Sequence, residues 1–316
     1  MKNIVITGAS GLVATELTHL LLESSGKYNV YAVSTHPEKL VERYQGNADV
    51  NCLSIRDLDS LSNIPIDAVV HCAFARSKGA GEIAKSIRFT TELLGITRQI
   101  RPKVFVNVSS QSVYGQTTPP LWTEQTPPAP DYLYALGKFA TEELTHAALR
   151  DTDIKYTSIR LSSVCENARF LNEFAKNALS GIPITVQGGN QMCSFIDVRD
   201  VARGLKAVID LTPQMASLSP IYNLGTGTTR TIRELAEDTK RLVEATKGIS
   251  VEVNIVPADI KLEVGMDNSL FCSTFSWRPE YGYDEMVASL IALNDMQMGG
   301  KMPYAFTIVY SERKQK

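Results

Sequence analysis

The sequence has little of several features that assign many proteins to a functional class at once. Its formal net charge is −2, so it lacks the positive excess carried by proteins that bind nucleic acid or anionic membranes. No apolar stretch approaches the ~20 residues needed to span a bilayer. Met1 and Lys2 lead straight into an apolar segment, which leaves no room for a signal peptide. These absences argue against nucleic-acid binding, membrane insertion and secretion.

Cysteine and histidine are too few and too scattered for a disulfide framework or a metal site. The five cysteines are odd in number and include no Cys-x-x-Cys pair. The four histidines lack the spacing of metal ligands. We therefore expect no metal site, and reduced, mostly buried thiols in a cytoplasmic protein.

What the sequence does contain is a strand, a loop and a helix at its start. Residues 3–6 have the apolar, β-branched composition of a buried strand. Gly8 lets the chain turn without a Cβ, Gly11 lets the backbone approach a ligand closely, and residues 12–25 form an amphipathic helix. The free N–H groups of such a helix N-terminus predict a phosphate-binding loop. A glycine-rich turn that only joins a strand to a helix is the alternative.

Strands and helices continue to alternate as far as about residue 165. With 316 residues the chain can bury a large core, and the pattern predicts an α/β fold: a Rossmann-like, doubly wound parallel sheet with a smaller C-terminal lobe. We assign residues 1–165 to a dinucleotide-binding domain, to which residues 195–224 return. Residues 166–194 and 225–316 are assigned mainly to a substrate-binding lobe and a C-terminal tail.

The second strand, residues 29–33, ends without the acid that commonly binds the adenine ribose of NAD. Ser34 holds that position, and Thr35, His36, Lys39 and Arg43 lie nearby in what reads as a loop. Hydroxyls and cations suit a 2′-phosphate better than a bare diol, so we favour NADP over NAD. An ordinary polar loop is the alternative.

Tyr134 and Lys138 lie four residues apart, on one face of a predicted helix over residues 134–149. A phenol has a reference pKa of ~10, and a nearby ammonium is expected to lower it toward a useful range. Ser110, at the end of the fifth strand, can hydrogen-bond a substrate carbonyl or hydroxyl, although Ser109 and Ser112 compete for this role. We predict Ser110, Tyr134 and Lys138 as a catalytic group that moves a proton at oxygen while a hydride moves at the adjoining carbon. An exposed helix pair is the alternative for Tyr134 and Lys138.

Six segments together resemble the extended short-chain dehydrogenase/reductases of the NAD(P)-dependent sugar-nucleotide epimerase/dehydratase family. The residue types at 7–14 are similar to the family's phosphate loop, with Ala14 for its last glycine, and those at 108–115 to its serine-bearing strand end. Tyr134 and Lys138 resemble its catalytic pair, and residues 194–202, 222–227 and 277–279 resemble its later landmarks.

The resemblance implies NADP or NAD as cofactor and a sugar or nucleotide-sugar substrate. We expect cofactor contacts from Thr7, Gly8, Ser10, Gly11, Leu12, Val13, Ser34, Thr35, Ile55, Ala73, Tyr134 and Lys138. We expect substrate contacts from Gln111, Ser112, Ser163 and Arg169, with solvated surface as the alternative for Arg169.

Two departures from the family pattern bear on the reaction. The Asp-Glu pair with which family dehydratases eliminate water is replaced by Gln111 and Ser112, which argues against dehydration. The arginine that precedes the Phe195-Ile196 segment in many nucleotide-diphosphate-sugar enzymes is missing, since Met192-Cys193-Ser194 stands there.

These observations favour a keto-sugar reductase that exchanges NADP(H), with an NAD-dependent nucleotide-sugar 4-epimerase as the alternative. A non-catalytic dinucleotide sensor is a third hypothesis, against which the intact catalytic group argues. The resemblance also implies a homodimer formed through the helices over residues 79–100 and 134–149.

Overall fold

The computed structural model describes residues 1–45, 47–76, 79–116 and 118–300, and its largest feature is a seven-stranded parallel sheet. The strands in chain order are β1 (Lys2–Thr7), β2 (Tyr28–Ser34), β3 (Val50–Ser54), β4 (Ala68–His71), β5 (Val104–Ser110), β6 (Lys155–Leu161), β7 (Ser163–Val164), β8 (Ile184–Gln187), β9 (Met192–Cys193), β10 (Phe195–Ile196), β11 (Ile221–Leu224), β12 (Arg230–Thr231) and β13 (Val253–Val256). The helices are α1 (Leu12–Leu22), α2 (Pro37–Arg43), α3 (Ala80–Ile100), α4 (Leu133–Leu149), α5 (Arg169–Leu179), α6 (Val198–Leu211), α7 (Ile232–Lys247), α8 (Ser269–Phe275) and α9 (Tyr283–Met298).

The order of strands in the large sheet is β11-β6-β5-β4-β1-β2-β3, and all neighbours run parallel. The chain therefore winds outward from β1 in one direction and then from β4 in the other. A crevice opens where the direction reverses, outside the carboxyl ends of β1 and β4, and this is where such sheets bind ligands. The predicted doubly wound parallel sheet is confirmed.

Alternating residues of the central strand β1 build a separate core on each face of the sheet. Ile4 and Ile6 pack with Leu17 of α1 and Leu205 of α6. Val5 points the other way and packs with Leu93 of α3. This alternation follows from the two-residue period of a strand, and it makes three layers with helices outside and the sheet between them.

A further hydrophobic cluster lies in the C-terminal half and includes Leu171 and Phe174 of α5, Ile184 of β8, Leu235 of α7 and Leu290 of α9. The strands β8 and β13 pair in parallel beside these helices. Whether 165 and 195 are true lobe boundaries stays a prediction, and residues 301–316 of the predicted tail lie outside the described residues.

The elements differ from the predicted ones in two places. Residues 37–39, predicted as part of a loop over residues 34–39, begin α2, whose Pro37 lies at the first helical position and of which only Leu40 is buried. The sequence also predicts a short helix that begins at Asp57. The structure has a 3₁₀ segment over Ile55–Asn63 there, capped by reciprocal hydrogen bonds between Ser54 and Asp57. Short or mostly exposed turns have too few apolar positions for a helical period to stand out.

Among the described residues, no helix combines the length and the apolarity that crossing a membrane requires.

Candidate active site

The loop between β1 and α1 passes directly over the end of β4. Gly8 has φ +67°, and a Cβ built on it would lie 2.7 Å from the Cα of Ala73. Only glycine fits there, because the backbone conformation and the close approach both exclude a side chain. No side chain among the described residues caps the start of α1 at Gly11. The first N–H groups of this helix therefore have no side-chain acceptor from a cap. This cradle fits a pyrophosphate.

A buried histidine holds the start of this loop in place. Thr7 Oγ1 lies 2.8 Å from His71 Nδ1, and His71 Nε2 lies 2.9 Å from Thr90 Oγ1. Thr90 donates its own proton to the Ser86 carbonyl, so its oxygen accepts from Nε2 and Nδ1 accepts from Thr7. Burial lowers the pKa of His71 to about 3, which keeps the ring neutral and this arrangement fixed.

The predicted adenine-ribose residues lie where β2 and β3 end. Ser34 is buried, and its Oγ accepts a hydrogen bond from the His36 N–H at 3.1 Å. Thr35 is exposed and Ile55 is half-buried. The Arg43 Nη1 donates to Thr15 Oγ1 in the first turn of α1 at 2.6 Å, and the same hydroxyl lies 3.4 Å from the Ala9 carbonyl. Ser34, Thr35 and His36 therefore lie at this strand end, and Arg43 lies against the start of α1.

The three predicted catalytic residues meet at the carboxyl end of β5. Ser110 is the last residue of β5, and Tyr134 and Lys138 lie on successive turns of α4. The Ser110 hydroxyl lies within hydrogen-bonding reach of the Tyr134 phenol. Lys138 Nζ donates to the Val108 carbonyl at 2.7 Å and lies 6.0 Å from the centre of the Tyr134 ring. Of the competing serines, Ser109 instead donates to Glu142 beneath the site.

The pKa of the phenol differs from what the sequence predicts. Burial raises the pKa of Tyr134, and the nearby Arg76 guanidinium only partly opposes this effect. Burial also lowers the pKa of Lys138 to about 8. Desolvation disfavours the charged form of each group, and in this site it outweighs the expected effect of the ammonium on the phenol. The resting pair is a protonated phenol beside a readily titrated amine.

The predicted substrate residues form a small network beside Ser110. The Gln111 Nε2 donates to Ser163 Oγ at 2.8 Å, and its Oε1 accepts from Ser162 Oγ at 3.3 Å. Ser162 in turn contacts Ser194 at 2.9 Å. Within the described part of the chain, the buried Ser112 hydroxyl has no hydrogen-bond partner. An uncharged, hydroxyl-lined wall therefore joins the ends of β5, β6 and β9.

Arg169 makes no contact with this network among the hydrogen bonds of the described residues. Its side chain is 92% exposed and pairs with Glu173 one turn along α5, at 2.8 Å. An arginine in this setting is solvated, which is the alternative given above for it.

Sequence reasoning missed several residues that support the site. Glu142, one turn beyond Lys138, forms a buried ion pair with Arg160 of β6 at 2.7 Å, and Arg160 stacks on Tyr114. Phe74 lies against both Tyr134 and Lys138. Glu142 and Arg160 carried a usable signal, since each is a charge on the buried side of a predicted element. Phe74 carried none.

Comparisons with known proteins agree with this geometry. Residues 4–225 match the NAD dependent epimerase/dehydratase family. The trifunctional UDP-glucose 4,6-dehydratase/UDP-4-keto-6-deoxy-D-glucose 3,5-epimerase/UDP-4-keto-L-rhamnose-reductase of Arabidopsis thaliana is 26% identical over 271 residues, which cover 76% of this chain and 40% of that protein. The chain thus spans well under half the length of this plant relative. A dTDP-glucose 4,6-dehydratase of Streptomyces niveus is 26% identical over 264 residues, covering 74% of this chain and 75% of the relative.

Solved structures of the same fold superpose on most of the chain. The UDP-glucuronic acid 4-epimerase of Bacillus cereus in complex with NAD has a TM-score of 0.79 at 20% identity, covering 96% of this chain and 99% of that one. A dTDP-glucose 4,6-dehydratase of Streptomyces venezuelae with NAD bound has a TM-score of 0.77 at 20% identity, covering 96% and 99%. The resemblance read from the motifs is confirmed. The chain belongs to the NAD dependent epimerase/dehydratase family.

Proposed function

We propose that this protein is an NAD(P)-dependent oxidoreductase that reduces a keto group of a sugar or nucleotide-sugar. The observation that carries the proposal is the meeting of Ser110, Tyr134 and Lys138 at the sheet edge that also holds the Gly8 cradle. Residues from distant points of the chain converge there on one small volume, as a hydride transfer with coupled proton transfer requires. A dinucleotide sensor would have no use for all three.

The protonation state of the pair favours reduction. Because burial raises the pKa of Tyr134, the phenol is protonated at neutral pH. A protonated phenol is the acid that a ketone needs as it becomes an alcohol. Ser110 donates a second hydrogen bond to the same oxygen, and the Lys138 ammonium stabilises the phenolate left behind. The bound dinucleotide supplies the hydride.

Dehydration is disfavoured by the wall beside this group. In place of a carboxylate pair stands Gln111, whose amide is held by Ser162 and Ser163. An amide neither accepts nor donates the proton that water elimination moves. The dehydratases among the relatives therefore share ancestry and fold with this chain without predicting its reaction.

Replacing Tyr134 by Phe tests the proposal most directly. We expect kcat to fall ~10³-fold, the typical contribution of a general acid, while cofactor binding stays within a few-fold. Tyr132→Phe is the matched control, because Tyr132 stacks on Tyr134 with ring centres 6.2 Å apart and loses only an exposed hydroxyl. Wild-type turnover in Tyr134→Phe would contradict the assigned role.

The second candidate is an epimerase, favoured by the solved UDP-sugar 4-epimerases that share this fold. An epimerase keeps its cofactor through oxidation and re-reduction, whereas a reductase releases it each cycle. A keto-sugar panel followed at 340 nm separates the two: a reductase consumes NAD(P)H, and an epimerase gives product with no net absorbance change. Absence of turnover on both keto-sugars and nucleotide-sugars, with cofactor-dependent binding of a protein partner, would support the sensor instead.

We further propose that NADP(H) is preferred to NAD(H), since Ser34 stands where an acid would bind the ribose diol. Differential scanning fluorimetry is expected to give a larger rise in Tm with NADP than with NAD at equal concentration. Ser34→Asp should reverse the order, because its carboxylate repels the 2′-phosphate. A larger NAD shift in the wild type would remove the preference.

A homodimer through α3 and α4 is part of the same proposal. Leu133 and Leu136 of α4 are 45% and 53% exposed, which is unusual for leucines on a long helix and suits a subunit contact. Leu136→Glu is expected to convert a dimer to a monomer in size-exclusion chromatography with light scattering. A monomeric wild type would refute it. The cytoplasmic location expected from the thiols stays a prediction.

A further inference from the structure

Phe74 follows β4 and packs its ring against both of the predicted catalytic side chains of α4. Its ring centre is 5.8 Å from that of Tyr134, in an edge-to-face arrangement at 79°. Lys138 Nζ lies 4.5 Å from the centre of the same ring. The segment that carries Phe74 is anchored, because the Ala75 N–H donates to Ser86 Oγ of α3 at 3.0 Å. The ring is thus a fixed wall of the site.

Gly137 makes room for this ring. It lies inside α4, where glycine costs about 1 kcal/mol relative to alanine. A Cβ built on Gly137 would lie 2.8 Å from Phe74 Cζ and 2.7 Å from Ile83 Cγ2, closer than real Cβ contacts. Gly95 in the middle of α3 has nothing within 4 Å of its ideal Cβ. The helix-weakening glycine at 137 therefore has a packing reason that the one at 95 lacks.

The Lys138 ammonium is almost fully buried, and its neighbours leave it short of negative charge. Its Nζ donates to the Val108 carbonyl, and Glu142 on the next turn is occupied by Arg160 and Ser109. No carboxylate among the described residues forms an ion pair with Lys138. An aromatic face within ~6 Å is attracted to a cation, by as much as ~2 kcal/mol where water is excluded. Phe74 supplies the nearer face, at 4.5 Å, and the Tyr134 ring lies farther away, at 6.0 Å.

We propose that Phe74 is a positioning residue for the Tyr134–Lys138 pair: its ring stabilises and orients the charged Lys138 ammonium, and Gly137 provides the space in which it does so. This inference rests on the proposed function only for its catalytic consequence. The effect of the ring on the ammonium holds whether or not the chain turns over a sugar.

The other titratable or charged groups around the ammonium stay the same when Phe74 is changed. They are His71 and Cys72 at the end of β4, Arg76 in the segment after it, and Tyr134 and Glu142 on α4. A change in the titration of Lys138 on substituting Phe74 therefore reports on the ring.

The test is the pKa of Lys138 itself, followed by NMR of protein labelled with ¹⁵N at lysine Nζ and assigned with Lys138→Arg. In Phe74→Leu, which keeps apolar bulk but removes the aromatic face, we expect this pKa to fall by about one unit. Phe74→Tyr retains the face and should restore the wild-type value. An unchanged pKa in Phe74→Leu overturns the proposal. A rise also overturns it, since the ring would then act only by excluding water.

Gly137→Ala provides an independent measurement, because its Cβ displaces the ring without changing it. We expect the Lys138 pKa to fall in Gly137→Ala and to stay unchanged in Gly95→Ala, the matched change in open space. Equal values in the two variants would contradict the role given to Gly137.

The pH profile of kcat/KM adds the catalytic consequence. In Phe74→Leu its alkaline limb should move to lower pH by the same amount as the pKa of Lys138. If the NMR pKa falls but no variant, including the wild type, turns over a keto-sugar, the inference stands and the proposed function fails.

Discussion

Two cations, Arg160 and Lys138, are buried beside α4, and they differ in the groups that surround their charge. Arg160 is 1% exposed, makes a two-pronged contact with the Glu142 carboxylate and stacks on Tyr114. Lys138 is 5% exposed, and its Nζ contacts the Val108 carbonyl, the Phe74 ring at 4.5 Å and the Tyr134 ring at 6.0 Å. Burial alone would lower the pKa of Arg160, but Glu142 raises it above its ordinary value. Burial lowers that of Lys138 to about 8.

The difference separates a cation whose charge is fixed by a carboxylate from one whose pKa is close to neutral. A guanidinium with a dedicated carboxylate stays charged at every accessible pH and fixes the geometry of β6 and α4. An ammonium that lacks a partner carboxylate is costly to keep charged, and a small change nearby alters its titration. Glu142 lies one helical turn from Lys138, but its carboxylate pairs with Arg160 and does not form an ion pair with the ammonium.

Breaking the structural pair should have the largest effect on stability. Arg160→Met leaves the Glu142 carboxylate buried with Ser109 alone, so we expect unfolding in urea to show a loss of about 3–5 kcal/mol. The double variant Arg160→Met, Glu142→Leu should recover much of this loss because no charge is left buried. If the double variant is as unstable as the single one, the cost comes from packing and not from charge.

Lys138 should make the free energy of unfolding depend on pH. The folded-state pKa of Lys138 is about 8 against an unfolded value of 10.5, so between these values the unfolded chain binds more protons. Stability should therefore rise by about 3 kcal/mol from pH 8 to pH 10.5, relative to Lys138→Met, in which this contribution is absent. The prediction is wrong if the free energy of unfolding of the two proteins changes with pH in the same way over this window.

Ser109 and Ser110 should differ in the same way, one affecting stability and the other turnover, but with smaller effects. Ser109→Ala removes a hydrogen bond to a buried carboxylate and should cost about 1.5–3 kcal/mol of stability with little change in turnover. Ser110→Ala should lower kcat and barely alter the urea midpoint, since Ser110 is only half-buried. The reverse pattern would make Ser109 the residue that contacts substrate.

An exposed cation should show the smallest effect of all. Arg169→Ala removes an ion pair from a side chain that is 92% exposed, and we expect stability to change by less than about 0.5 kcal/mol. kcat/KM should stay within two-fold of the wild type. A ten-fold rise in KM would restore Arg169 as a substrate residue.

The sequence predicted those parts of the protein whose physics is local. The β1–loop–α1 unit and the four-residue spacing of Tyr134 and Lys138 can be read directly, because strand and helix periods bring nearby residues onto one face. The helix α2 was missed, because its single buried residue, Leu40, leaves no periodic pattern. The predicted loop over residues 34–39 therefore extended past Pro37, where α2 begins.

The remaining features depend on contacts between distant residues. Phe74 meets Gly137 across more than sixty residues, and no local pattern marks either as part of the site. The pKa of Tyr134 was expected to be lowered by Lys138, whereas burial decides its direction. Spacing along a helix predicts that two groups are neighbours, but the surrounding packing decides whether water or protein solvates them.

Residues 118–130, which precede α4 and include five prolines, are hydrogen-bonded to residues 265–267. The Trp122 N–H donates to the Gly265 carbonyl at 2.9 Å, its carbonyl accepts from the Asp267 N–H at 2.8 Å, and its ring is buried against Tyr114. The Trp122 segment is therefore held by residues that follow the last strand of the large sheet along the chain. We expect partial unfolding of the C-terminal region to release the Trp122 segment while the seven strands remain intact. On gradual denaturation, activity should therefore be lost before the sheet unfolds.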